Sequence, residues 1–265
     1  MELDVINKLT KDLKNASVNL GRDEARFLVD AYYIIQEDRK RSFNQERALE
    51  ADGEPHSIIS WFANQSEMLE KQISKALDAY SASKPEGQWA RRQVGIGPII
   101  AAGLHAHIDL ALTTTSTKLW RFAGLDPTSK WEKGKKRPWN ASLKTLTWKI
   151  GESFVKTCNN ENSFYGPVYA KRKKLETERN EQGLFADQAA KVLETKKIGK
   201  DTDAYKAYSV GKLPPAHIHS RARRYAAKLF LSHYLEMAQR AHGIEPTTPY
   251  IIALGGHADY IPPPP

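Results

Sequence analysis

Residues 93–108, Gln-Val-Gly-Ile-Gly-Pro-Ile-Ile-Ala-Ala-Gly-Leu-His-Ala-His-Ile, carry the types and spacing best suited to gripping an anion. Gly95 and Gly97 flank Ile96, and Pro98 stands where a helix takes its first residue. Glycine permits positive φ and the close approach of another backbone. Proline at the first helical position loses no hydrogen bond and brings its φ preset. The unpaired N–H groups of that first turn then point outward at the positive end of the helix dipole, which favours a phosphate. Ile99, Ile100, Leu104 and Ile108 fall at helical spacing and would anchor the element to a core. This is the pattern of a helix-hairpin-helix phosphate grip; an ordinary structural turn is the competing reading. A nucleotide-binding fingerprint is excluded, because no third glycine follows at the right spacing and no β-rich run precedes.

Cations gather near this stretch. Arg91 and Arg92 precede the hairpin, in a segment (86–94) that looks helical and basic. The loop 130–137 sets Lys130, Lys133, Lys135, Lys136 and Arg137 around Trp131 and Trp139. Such a loop can straddle a phosphate backbone while its tryptophans stack on exposed bases. The alternative is a solvated loop with the indoles tucked into the core. Arg221, Arg223 and Arg224 open the last strong helix and would continue a basic stripe. His105/His107 and His217/His219 are His-x-His pairs, a spacing that puts the rings on different helix faces, so no metal site is expected. Lys171-Arg-Lys-Lys174 reads as a solvent-facing charge run and Cys158 as a buried or half-buried thiol. No cofactor is implied by any of these residues.

Composition narrows the partner. The 265 residues hold 40 Lys+Arg against 31 Asp+Glu, a formal net charge of +9. That favours an anionic partner, nucleic acid before membrane, since no basic amphipathic helix or lipidation signal is evident. The single cysteine excludes an intrachain disulfide framework and suits a reducing compartment. The opening Met-Glu-Leu-Asp-Val-Ile lacks the regions of a signal peptide, and no apolar run approaches membrane-spanning length. A soluble cytoplasmic protein is expected.

The elements that must position these residues read as helices throughout, so the fold class is all-α. Residues 1–83 form an N-terminal helical bundle or arm. One face is marked by Leu3, Ile6, Leu9 and Leu13, a second by Phe27, Leu28, Ala31, Tyr32 and Ile35, and a third by Ile58, Ile59, Phe62, Leu69, Ile73, Ala76, Leu77 and Tyr80. The charged stretch 36–54 is expected to be a solvated helix end and loop. Ser81–Gly87 is turn-rich and marks the domain boundary. A short helix is expected around Lys118–Gly124, capped by Ser116 or Thr117, then helices over 140–157, 164–182 and 217–242. Residues 84–242 make the second domain, and 243–265 a Pro/Gly-rich tail. The N-terminal helices offer a route to a homo-oligomer.

The order of the pieces resembles one family. Gly-Ile-Gly-Pro-Ile-Ile-Ala-Ala-Gly-Leu, a spacer, then Leu119-Trp-Arg-Phe-Ala-Gly-Leu-Asp-Pro127 is similar to the C-terminal domain of the DEDD-type, bridge-RNA-guided insertion-sequence transposases. Lys133-Gly-Lys-Lys-Arg, Trp139-Asn140, the helix from Ser142, Phe164-Tyr165 with Lys171–Lys174, and Arg221–Leu229 follow in the family's order. The resemblance covers residues 90–182 well and 214–242 loosely. It implies DNA, duplex or branched, as the partner, with RNA as a further one, in a prokaryotic, nucleoid-associated mobile-element or recombination setting. The family's RuvC-like nuclease acids have no counterpart in residues 1–85, whose Asp4, Asp23, Asp30 and Asp38 sit in helical patterns, so the expectation leans against an enzyme. The resemblance places Ser153 near the family's serine nucleophile, which leaves a recombinase with a nuclease supplied in trans as the alternative. A helix-hairpin-helix repair enzyme using Asp109 and Lys118 ranks third.

Overall fold

The computed structural model describes residues 8–54, 56–247 and 260–265. Among them every regular element is helical, so the chain is all-α, as its periodicity predicts. None of these helices is long and apolar enough to cross a membrane. The chain divides into two compact units. The first holds the residues up to Arg92 together with Ile96–Leu112; the second holds Gln93–Gly95 and the residues from Thr113 onward.

The first unit comprises α1 (Lys11–Ala16), a 3-10 turn, α2 (Arg22–Ala51), α3 (Ser57–Ala82), α4 (Pro85–Arg92) and α5 (Pro98–His107). Glu24 opens α2 by accepting the Gly21 N–H at 2.6 Å, which also sets a negative charge at the positive helix end. The stretch 36–54, expected as a solvated helix end and loop, is mostly helix: α2 runs on to Ala51 and only the last residues are turn and loop. One-turn pairs line its surface, Lys40 with Glu37 at 2.8 Å and Arg41 with Asp38. Arg39 reaches Glu70 on α3, which also accepts from Gln36 at 3.1 Å. Burial alone would raise the Glu70 carboxyl, but these partners outweigh it and hold it below its ordinary range. The core joins Ala25 and Val29 to Leu77, Tyr80, Ile99, Ala102 and Ala106. Phe27, expected inward, is 72% exposed, because it lies two positions from Ala25 and so about 200° around the helix. The turn at Ser81–Gly87 lies inside this unit and separates nothing. α5 packs on α2 and α3, and Arg26 donates to the Ala106 carbonyl at 2.9 Å.

The second unit comprises α6 (Ser116–Phe122), α7 (Ala141–Lys156), α8 (Tyr165–Glu181), α9 (Ala186–Thr195), α10 (Asp203–Ser209) and α11 (Pro215–Ala241). α11 packs on α6, α7 and α8. Phe154 of α7 stacks on Tyr165 of α8 at 4.8 Å, and Phe230 of α11 meets both edge-on. Asn140 caps α7 through Leu143 N–H at 2.8 Å. α6 is capped one residue earlier than the sequence suggests, by Thr115, whose hydroxyl accepts from Lys118 N–H.

Of the tail, residues 248–259 lie outside the described residues. Tyr260 and Ile261 dock on α11. Tyr260 donates to Glu236 at 2.8 Å, and the Ile261 carbonyl lies 2.8 Å from His233 Nε2. His233 Nδ1 lies 2.8 Å from the Tyr165 hydroxyl. A neutral imidazole protonated on Nε2 satisfies both partners, donating to Ile261 and accepting from Tyr165. Burial pushes its pKa below the ordinary histidine value, against the Ile261 carbonyl and Glu236. His107 and His217 are lowered by burial too, then by nearby arginines. A folded value below the unfolded one means that the unfolded chain binds more protons in acid. Stability is therefore complete above about pH 6.5 and falls as pH drops through the folded values. The melting temperature is expected to fall between pH 7.5 and pH 5, by about 2–4 °C for each kcal/mol lost. A His233→Asn variant should show a shallower fall; an unchanged slope would contradict this account.

Candidate nucleic-acid interface

The segment Phe122-Ala-Gly-Leu125 has a structural reason in the second unit. α6 closes with Gly124 N–H on the Arg121 carbonyl (3.0 Å) and Leu125 N–H on the Trp120 carbonyl (2.8 Å). This closure needs the left-handed φ of +66° at Gly124. A Cβ there would meet Lys144 at 2.8 Å and Trp139 at 2.9 Å, so the glycine also seats that indole. Lys144 Nζ lies 4.1 Å over the Trp139 ring. Trp120 repeats the device: its Nε1–H donates to the Lys228 carbonyl at 3.0 Å, and Lys228 Nζ sits 4.8 Å over its ring. Indole faces thus hold ammonium groups in place, which costs less desolvation than a carboxylate pair and leaves the charge uncancelled.

These cations act on one another and on Arg224. Burial, then the like charges of Arg137 and Arg224, push the Lys144 ammonium below its ordinary value. Lys228 is pushed down by burial and by Arg224, with Asp126 pulling the other way. Arg224 in turn feels Arg221 and Arg223 after its own burial. Asp126 belongs to a turn: Thr128 donates to it through N–H at 2.9 Å and hydroxyl at 2.8 Å, and these bonds keep its carboxyl low. Lys144 thus feels the charges of Arg137 and Arg224, and Lys228 that of Arg224, with Asp126 as the opposing carboxylate. Like charges at such range repel, and a polyanion entering among them removes the penalty.

The residues singled out in the sequence divide accordingly. Lys130, Lys133, Lys135, Lys136 and Arg137 are exposed. Trp131 is 41% exposed; its Nε1–H donates to the Lys135 carbonyl at 2.7 Å, and Arg137 lies 5.2 Å from its ring. Trp139 is half-buried and belongs to the fold. Arg221 is tied to Glu176 at 2.7 Å and to Gln188 at 2.9 Å. Arg223 is paired with Glu152 and lies 5.2 Å from the Trp148 ring. Of those three arginines, Arg224 alone joins these cations. Lys144, Trp148 and Lys228 were missed by sequence reasoning. A usable signal was present, since Lys144/Trp148 and Arg224/Lys228 are each one helical turn apart.

The hairpin has two halves. In the first unit, Gly97 caps α5 and Pro98 opens it, with Ala101 N–H on the Gly97 carbonyl at 3.0 Å. Ile96 and Ile99 are buried and anchor the turn. Gly97 has φ −88°, open to any residue, and a Cβ there would meet nothing within 4 Å. The fold itself does not demand glycine at this cap. Arg91 is engaged by the Asp78 carboxylate and carbonyl, whereas Arg92 is exposed and makes no ion pair among the described residues. In the second unit, Gly95 has φ +95°, and a Cβ would meet Ser153 Cβ at 3.2 Å. Here glycine is required by the fold. Ser153 receives Gly95 on α7, and its hydroxyl bonds no histidine, lysine or carboxylate among the described residues.

Three of the four His-x-His rings go to separate partners: His105 to Glu86 at 2.5 Å, His217 to Tyr208 at 3.1 Å and His219 to Tyr169 at 2.8 Å. Among the described residues no cluster of three or more His, Cys, Asp or Glu could hold a metal ion. Compared with protein-family models, curated proteins and solved structures, the chain matches none.

Proposed function

We propose that the chain binds DNA along its phosphate backbone with little sequence readout, in a recombination or mobile-element setting. The observation that carries this reading is the set Arg137, Lys144, Arg224 and Lys228: three of these cations lie over indole rings, Arg224 acts on Lys144 and Lys228, and Asp126 is the carboxylate that opposes them. Backbone recognition needs this: several cations whose charge is not already spent on protein carboxylates. The exposed lysines at 130, 133, 135 and 136 enlarge the same basic surface. The open N-terminus of α5 is a second phosphate-binding element in its own right, with Gly97 leaving the first-turn amides uncovered. The resemblance of residues 90–182 to the transposase C-terminal domain supports DNA as the polyanion.

A salt titration of duplex binding tests the reading. Four backbone contacts correspond to a log–log slope of about −3 to −4. No detectable binding of DNA, duplex or single-stranded, at low salt would sink it. Gly97→Glu addresses the α5 element separately. The site is open and its φ ordinary, so the variant should fold with unchanged helicity and bind roughly tenfold more weakly, since a carboxylate now faces the phosphate. Wild-type affinity in that variant would remove α5 from the proposal and leave the set of cations.

A further inference from the structure

Backbone binding asks only for cations, yet this surface also shows two large indoles to water. Trp148 is 53% exposed and Trp131 41%. The fold has no use for that exposure, because an indole contributes to stability through the area it buries. Trp89, at 1% exposed, shows that this chain can bury an indole fully.

Trp131 is held in a fixed attitude, and a guanidinium lies beside Trp148. Trp131 is pinned at its nitrogen by the Lys135 carbonyl at 2.7 Å and faced by Arg137. Trp148 is faced by Arg223 at 5.2 Å, and Arg223 is itself held by Glu152. A ring fixed before its ligand arrives loses little freedom on binding. Each also neighbours one of the cations named above. Arg137, which faces Trp131, is one of the charges acting on Lys144. Lys144 lies one turn before Trp148 on the same face of α7, about 6 Å along the helix. Each indole thus has a cation beside it, Arg137 at Trp131 and Lys144 one turn before Trp148.

Resting on the DNA-binding reading above, we infer that this surface takes DNA with unpaired bases, Trp148 and Trp131 serving as stacking platforms while Arg137 and Lys144 hold the intervening phosphates. A duplex hides its base faces, whereas a single strand offers them, and stacking on an aromatic ring tolerates any sequence. Alternation of aromatic and cationic groups is the chemistry that single-stranded DNA fits.

The test compares a labelled oligothymidine single strand with a blunt duplex of equal length, by fluorescence anisotropy on the full chain at matched salt. The single strand should bind more tightly. Trp148→Ala should weaken it by roughly tenfold, weaken the duplex less than about twofold, and leave helicity and melting temperature unchanged. Trp148→Phe should restore most of the loss. A Trp148→Ala variant that weakens both probes equally, or neither, overturns the inference. Duplex binding without single-strand binding also overturns it while leaving the DNA-binding reading intact. Binding of neither probe removes both.

Discussion

Replacing Lys144 and Arg224 together by glutamine is expected to lower DNA affinity by roughly two to three orders of magnitude at low salt and to flatten the salt dependence. Each charge-assisted contact to phosphate contributes about 1.5–2 kcal/mol. Each neutralised phosphate adds about 0.9 to the log–log slope, so two fewer should reduce its magnitude by about 1.8. Neither side chain makes an ion pair among the described residues, and the charges acting on Lys144 are both of its own sign. Folding should be unaffected or slightly favoured. Arg223→Gln is the informative contrast: its partner is Glu152, so it should cost stability and leave the slope nearly unchanged. Affinity lost with no change of slope in the double variant would mean that these two cations do not touch phosphate.

That contrast shows where the sequence could be read and where it could not. Short-range rules were legible. Pro98 opens α5 and Asn140 caps α7, because both effects act within one turn. The hairpin glycines were visible as a pair, but not that they do different work. Gly95 serves the packing of Ser153, and Gly97 leaves a helix end open. That difference depends on what lies opposite each residue. The arginines of α11 show the same limit. Arg221, Arg223 and Arg224 look alike in sequence, yet Glu176 and Glu152, which engage two of them, lie 45 and 71 residues away. The course of α2 through residues 36–51 was hidden for a related reason. Its charges read as solvated until Glu70 on α3 is seen to receive Arg39 and Gln36.

Glu176→Ala is expected to destabilise the fold severely, by about 3–5 kcal/mol. The carboxylate is 1% exposed and is shared between Arg172 and Arg221, while Arg221 passes on to Gln188 of α9 and lies 4.5 Å from the Phe185 ring. One acid thus ties α8 to α11. Burial alone would raise its pKa, but the Arg221 hydrogen bond and the two guanidinium charges win, so it is lowered. A lowered carboxyl stabilises the fold at neutral pH and loses that effect as pH falls below the ordinary glutamate value of about 4.3. Alanine leaves two guanidinium groups partly buried without their acid, and the buried Arg172 Nε already lacks a partner. The cost is that of the stranded charges, not the net value of the cluster. A triple variant, Glu176→Leu with Arg172→Met and Arg221→Met, should therefore be more stable than Glu176→Ala alone, as read from urea midpoints at pH 7. It should also still bind DNA, because Arg224 and Lys228 remain one and two turns further along α11. A triple variant less stable than the single one would show that the cluster is a net source of stability, and loss of DNA binding in it would place Arg221 or Arg172 on the interface.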